Sequence, residues 1–168
     1  AVALDISKFF ESIDHNILKD VWCSLLEVDW LPEDHFSVFR SVTRYAFVDR
    51  DELYRRLGFL VEKTVGVKTV EVYTKPFDQM PLQLCDGPTF REMVAGQNGA
   101  YPKLIETNDD DFGIPQGTPI SDLLANMYLI DFDVRMNEYA LARGGSYYRY
   151  SDDIMLVLPG GEGVGRDA

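Results

Sequence analysis

Residues 147–157 read Tyr-Tyr-Arg-Tyr-Ser-Asp-Asp-Ile-Met-Leu-Val, two runs of strand formers around a pair of acids. Tyr147, Tyr148 and Tyr150 favour a strand, as do Ile154, Leu156, Val157 and Leu158 on the other side. Ser151-Asp152 falls between the runs, where a tight hairpin turn belongs. Such turns prefer Asn-Gly or Asp-Gly. A Ser-Asp-Asp tip gives up that chemistry and sets Asp152 beside Asp153. Like charges that close repel unless a cation lies between them. An arbitrary acidic turn is ordinarily a solvated one, so this turn takes its meaning from whether the chain supplies further carboxylates and a use for a metal.

A further carboxylate stands at the other end of the chain. Ala1-Val2-Ala3-Leu4-Asp5-Ile6 is an apolar strand running into an acid, the kind of opening expected of a piece of a larger protein. If that strand neighbours the hairpin in one antiparallel sheet, Asp5 meets Asp152 and Asp153. Three carboxylates on rigid strands suit two Mg²⁺ ions, with Mn²⁺ as the alternative, because such hard cations favour oxygen ligands and keep places for substrate phosphates. Two ions about 4 Å apart serve in-line phosphoryl transfer.

Between these ends the chain reads as helices, one strand and irregular segments. Asp14 is placed to cap a helix through about residue 27, with Ile17, Leu18, Val21, Trp22, Leu25 and Leu26 as its apolar stripe. A second helix is expected from Pro32, with Phe36, Phe39 and Ala46 on one face, and a short third one carrying Leu53 and Leu57. Residues 68–73 read as a strand inside a segment, 60–112, broken by proline and glycine. Asp109-Asp110-Asp111 reads as a solvated loop, since three consecutive acids cannot easily face one ion. Thr118 and Pro119 mark a helix start. Ile120, Leu123, Leu124, Met127 and Ile130 carry that helix to about Tyr139 or Arg143, where Gly144-Gly145 stops it. The glycine-rich tail 160–165 lacks the spacing of a dinucleotide fingerprint and reads as a loose end. His15 and His35 sit at helix starts and are given no metal or catalytic role.

Composition bounds the class. The chain has 168 residues, 46% hydrophobic and 12% aromatic, enough for a core and for one domain or a part of one. Cys23 and Cys85 are far apart and suggest a reducing compartment rather than a disulfide framework. Neither a signal peptide nor a membrane-spanning apolar run is read in these residues, so the cytoplasm is the expected location. The net charge of −12 on its own counts against nucleic acid, because nucleic-acid binders usually carry a basic footprint. A metal-dependent site must itself be acidic, however, and basic surface can come from other segments.

Three blocks together resemble the palm of reverse transcriptases, in the prokaryotic lineage of group II intron, retron and defence-associated enzymes. Residues 5–15, Asp-Ile-Ser-Lys-Phe-Phe-Glu-Ser-Ile-Asp-His, look like the first palm motif. Residues 113–121, Gly-Ile-Pro-Gln-Gly-Thr-Pro-Ile-Ser, continuing through Leu124, Asn126, Tyr128 and Leu129, look like the second. Arg149-Tyr150-Ser151-Asp152-Asp153 looks like the Tyr-x-Asp-Asp box. The resemblance covers about a third of the chain and leaves 60–112 unmatched.

The resemblance implies an α+β fold, a ferredoxin-like antiparallel sheet backed by helices, as a single palm domain over 1–168 with an insertion at about 60–112 and with fingers and thumb absent. It implies Asp5, Asp152 and Asp153 as catalytic and metal-binding residues, with the Ile6 carbonyl completing a metal shell. Phe9, Phe10, Gln116 and Gly117 would border the nucleotide. Phe10 would exclude a ribose 2′-OH, and Phe9, pointing oppositely if the pair lies on a strand, would fill the core. Ser121, Asn126, Arg149 and Tyr150 are candidate nucleic-acid contacts, although Asn126 reads equally as a buried amide and Arg149 equally as the partner of an acid. The implied activity is RNA-directed DNA synthesis from dNTPs on an RNA template and a DNA primer, with a structured non-coding RNA as a further partner. Alternatives are template-independent or protein-primed synthesis in an anti-phage defence system, and a non-catalytic palm scaffold. A nucleotide cyclase on a related palm fits the Gln116 loop and the Tyr-Ser-Asp-Asp box less well.

Overall fold

Over residues 1–160, which the computed structural model describes, the elements follow in the order β1 (Val2–Asp5), α1 (His15–Leu26), α2 (Glu33–Thr43), β2 (Ala46–Phe47), α3 (Arg50–Arg56), β3 (Leu60–Val65), β4 (Lys68–Tyr73), α4 (Gly87–Thr89), β5 (Glu106–Thr107), α5 (Pro119–Tyr128), α6 (Ile130–Leu141), β6 (Ser146–Tyr150) and β7 (Asp153–Val157). The fold is α+β with small antiparallel sheets. It divides into two compact units, one of residues 1–45 with the chain from 109 onward, the other of 46–108. The irregular middle is therefore a unit of its own, bounded at 46 and 108 rather than at about 60 and 112.

The first unit is built on a three-stranded sheet in the order β1-β7-β6. β6 and β7 form the expected hairpin around Ser151-Asp152, with Tyr150 opposite Asp153. β1 pairs antiparallel with β7, with Leu4 opposite Ile154. Phe9, Ile13, Leu18, Trp22, Ile114 and Leu124 are among the residues of its buried core.

Local chemistry explains the helix limits. Asp14 caps α1, its carboxylate accepting from the amides of Asn16 at 2.8 Å and Ile17 at 3.0 Å. The buried face of α1 is His15, Leu18, Trp22 and Cys23, rotated from the predicted stripe, so Ile17 and Leu25 are exposed. α2 follows Pro32 as predicted but ends at Thr43, and Ala46 lies in β2 instead. The Thr118 hydroxyl accepts from the Ser121 amide at 3.2 Å and caps α5, with Pro119 in its first position. The single long helix expected from there is two, because Leu129 leaves helical geometry (φ −99°, ψ 10°). Neither glycine nor proline marks that break. At the end of α6 the Gly145 amide bonds the Ala140 carbonyl at 2.9 Å, and Gly144 takes φ 68°, which stops the helix where the glycine pair predicts.

Residues 111–114 run alongside residues 10–15. Ile114 N–H donates to the Phe10 carbonyl at 2.9 Å, Gly113 N–H to Ile13 at 2.8 Å, and His15 N–H to Asp111 at 2.9 Å. The buried His15 ring adds an Nε2 hydrogen bond of 2.7 Å to the Gly113 carbonyl. Asp109 and Asp111 stay exposed and face Arg44 at 3.7 and 3.9 Å, as a solvated acidic run should.

In the second unit β3 and β4 form a hairpin about Gly66-Val67, and β2 pairs with β5. β4 matches the predicted strand over Lys68–Tyr73, whereas β3 was not expected. Asp49 caps α3 by accepting from the Glu52 amide at 2.8 Å. The glycine-rich stretch beyond Gly160 lies outside the described residues.

Gly113 has φ 89°, and a Cβ there would come 3.2 Å from the Glu11 carbonyl oxygen. Gly113→Ala should therefore cost about 1–3 kcal/mol. Urea unfolding checks this, and an unchanged midpoint would mean that the close approach does not constrain the fold.

Candidate active site

The sheet brings the acids of residues 5, 152 and 153 to one end. Asp5 is paired directly opposite Asp153. Directly opposed residues carry their side chains on the same face. Ile6 follows, and its N–H donates to the Asp152 carbonyl at 3.1 Å. The side chains are then divided by the alternation of the strand. Ile154 is buried, so Asp153 and Met155 face away from the core, where Asp153 borders a groove with Tyr148 and Tyr150. Asp152, half-buried in the turn, lines a different cavity of about 460 Å³ with Phe10, Gln116, Gly117, Asp122 and Asn126. The expectation that all the carboxylates converge on one cleft thus holds for the backbone and not for the side chains. Among the described residues, no three His, Cys, Asp or Glu side chains stand in ligating geometry. Asp5, Asp152 and Asp153 also have no ion-pair partner among the described residues.

Phe9 and Phe10 do not alternate as strand residues would, because the chain leaves β1 and enters a 3₁₀ turn over Phe10–Ser12. Both rings are buried, at 4% and 5% exposure, with centroids 5.6 Å apart. Phe9 packs in the core against Tyr128. Phe10 belongs to the same core and also forms a wall of the cavity.

Gln116 and Gly117 reach the cavity on the loop before α5. Gly117 has φ 91°, a conformation that favours glycine, and a Cβ there would meet open space. Ser121 is fully buried, and its hydroxyl lies 2.7 Å from that of Thr118. It belongs to the helix cap and is not on a surface that nucleic acid could touch. Asn126 is exposed and lines the cavity together with Asp122, one helical turn before it. Asp122 was not anticipated, although its i, i+4 spacing to Asn126 was the available signal. Tyr150 is 84% exposed at the cavity mouth.

Arg149 is taken up by an acid. Its side chain is 6% exposed. Its Nε donates to Asp133 Oδ1 at 2.8 Å and Nη2 to Oδ2 at 2.5 Å. Nη1 donates to the Ser151 carbonyl at 2.7 Å and to Asn126 Oδ1 at 3.0 Å. The Tyr147 hydroxyl donates to Asp133 Oδ1 at 2.6 Å. Asp133 and Tyr147 were both missed. Tyr147 stands two residues before Arg149, on the same strand face. Burial, then the bond to Asp133, pushes the Tyr147 hydroxyl up to about 12. Burial alone would raise the Asp133 carboxyl, but hydrogen bonds from Arg149 and Tyr147 outweigh it and hold the group below its usual range.

The two shifts act at opposite ends of the pH scale. The contribution of Asp133 is present above the ordinary carboxylate range and is lost as pH falls through its lowered value. Tyr147 holds its proton more tightly folded than unfolded, so its contribution is intact below about pH 10, the ordinary tyrosine value. It is lost as pH rises towards about 12. Tyr147→Phe should melt lower than wild type at neutral pH, and the two melting temperatures should converge across that alkaline interval. A constant difference would show that the hydroxyl is not held by Asp133.

No family model matches this chain, and comparison with curated proteins finds no match, so the chemistry of the cavity is argued from its own residues.

Proposed function

We propose that this chain is the palm of an RNA-directed DNA polymerase, joining dNTPs to a primer 3′-OH on an RNA template. The observation that carries the reading is that residues far apart in sequence, Phe10, Gln116-Gly117 and Asp152, line one cavity at the sheet end where Asp5 faces Asp153. The donor chemistry suits Mg²⁺: Asp5, Asp152 and Asp153 offer hard carboxylate oxygens from neighbouring backbone positions at one sheet end, with no ion-pair partner among the described residues, although their side chains do not point into one cavity. When bound, a pair of such ions supplies activation of the attacking hydroxyl and stabilisation of the departing pyrophosphate.

The protein groups divide the remaining work. Asp152, with Asp5 and Asp153 beside it, concentrates negative charge at one sheet end. Among the described residues the one basic side chain lining the cavity, Arg149, is committed to Asp133. A triphosphate therefore enters only with cations, which ties nucleotide binding to metal binding. Gln116 and Asn126 offer amide groups to a base or sugar, and Gly117 lets a ligand approach the backbone. In this reading the Phe10 ring, a wall of the cavity, excludes a 2′-hydroxyl. In the transfer, the 3′-oxygen bonds to the α-phosphorus as the bond to the β-phosphate oxygen breaks.

Asp152→Asn in the full-length protein should reduce kcat/KM for incorporation by more than the roughly 10–100-fold typical of changes outside a metal's own ligands. Its melting temperature should not fall, since the substitution relieves repulsion from Asp153. Retained incorporation would refute the reading.

Sugar choice gives a second test. Phe10 is buried as well as cavity-lining, so full truncation to alanine would cost about 3–5 kcal/mol, and valine is the better probe. Phe10→Val should raise kcat/KM for a ribonucleotide relative to its deoxy counterpart, on the order of tenfold. An unchanged ratio in a folded variant would remove Phe10 from the gate, and a wild type that prefers ribonucleotides would overturn the DNA-synthesis reading.

A further inference from the structure

The turn that carries Asp152 is held by Arg149, whose own anchor, Asp133, lies outside the cavity lining. We infer that Asp133, on α6, is a positioning residue that acts through Arg149 to fix the Ser151-Asp152 turn and the Asn126 wall together. The chemical purpose of that positioning rests on the polymerase reading, whereas the linkage itself is geometric.

A guanidinium is planar, so a two-point grip fixes the direction of its remaining nitrogen. Asp133 supplies that grip, with Oδ1 2.8 Å from Nε and Oδ2 2.5 Å from Nη2. The Tyr147 hydroxyl, 2.6 Å from Oδ1, keeps the carboxylate from rotating. Nη1 is thereby aimed at the Ser151 carbonyl, 2.7 Å away, and at Asn126 Oδ1, 3.0 Å away. Ser151 needs such a hold. Its φ is 55°, a left-handed conformation that a residue other than glycine keeps only when its surroundings impose it. The next carbonyl, that of Asp152, is pinned from the opposite side by Ile6 N–H at 3.1 Å. With both loop carbonyls held, the backbone from which the Asp152 side chain lines the cavity is fixed. Asp133 also keeps the guanidinium off the cavity acids. Without that carboxylate, Arg149 is free to turn towards Asp152 or Asp122 and compete with a bound cation.

The test compares full-length wild type, Asp133→Asn and Tyr147→Phe. Hydrogen exchange is read at the amides of 149–153 without metal, Mn²⁺ affinity by electron paramagnetic resonance, and incorporation as separate kcat and KM. Asp133→Asn should speed exchange at the turn while α1 stays protected. It should weaken Mn²⁺ binding about 10–100-fold and lower kcat more than it raises the nucleotide KM. Tyr147→Phe should shift each readout the same way by less, and it carries the test if Asp133→Asn does not fold. Unchanged turn exchange in the folded variants overturns the positioning role. So does faster exchange spread evenly over the first unit with kcat per folded molecule unchanged. A wild type that neither binds Mn²⁺ nor incorporates nucleotide refutes the polymerase reading alone, because turn exchange still decides whether Asp133 holds the loop.

Discussion

The Gly113 backbone lies against the Glu11 carbonyl, and a short ladder ties residues 111–114 to residues 10–15. A Cβ there would crowd that carbonyl, and φ 89° is a conformation that residues with side chains rarely adopt. The cavity depends on it. Phe10 enters the wall from the turn after β1, and Gln116-Gly117 enter from the loop that the ladder delivers. His15 strengthens the same joint by spending its Nε2–H on the Gly113 carbonyl. A histidine that could have served chemistry is thus committed to structure, and so is the first turn of α1 on which it stands.

Acids at this sheet and on the helix packed against it are treated in two ways. Asp133 is matched by Arg149 with two-point geometry and held further by Tyr147. Asp5, Asp152 and Asp153 have no protein cation among the described residues. The same part of the fold thus holds one acid in a bidentate ion pair and leaves three others without one.

Much of this was legible from residue types. Asp14 and Thr118 were readable as caps because a short oxygen side chain ahead of an apolar period has one common use. The hairpin was readable because strand formers flank a two-residue gap, and Asp5 could be set beside it because β1 is apolar up to the acid. The failures have physical causes too. The break at Leu129 is set by packing and has no glycine or proline to announce it. Phe9 and Phe10 share the core because a 3₁₀ turn, not a strand, carries Phe10. Strand alternation separates Asp152 from Asp153, which adjacency in sequence cannot convey. Arg149 could be read as a nucleic-acid contact or as half of an ion pair. Its partner lies sixteen positions away on a helix, and only the fold joins them.

The unit of residues 46–108 begins and ends in the same small ribbon, with Ala46 opposite Thr107 and Phe47 opposite Glu106. Its two ends leave from one point, so to the rest of the chain the unit is a single closed loop. The entropy of closing a loop rises only with the logarithm of its length. Material between those two short strands can be lengthened, shortened or exchanged at small energetic penalty to the sheet that bears Asp5 and Asp152. The ribbon is a graft junction: what grows from it can diverge while the acids keep their register.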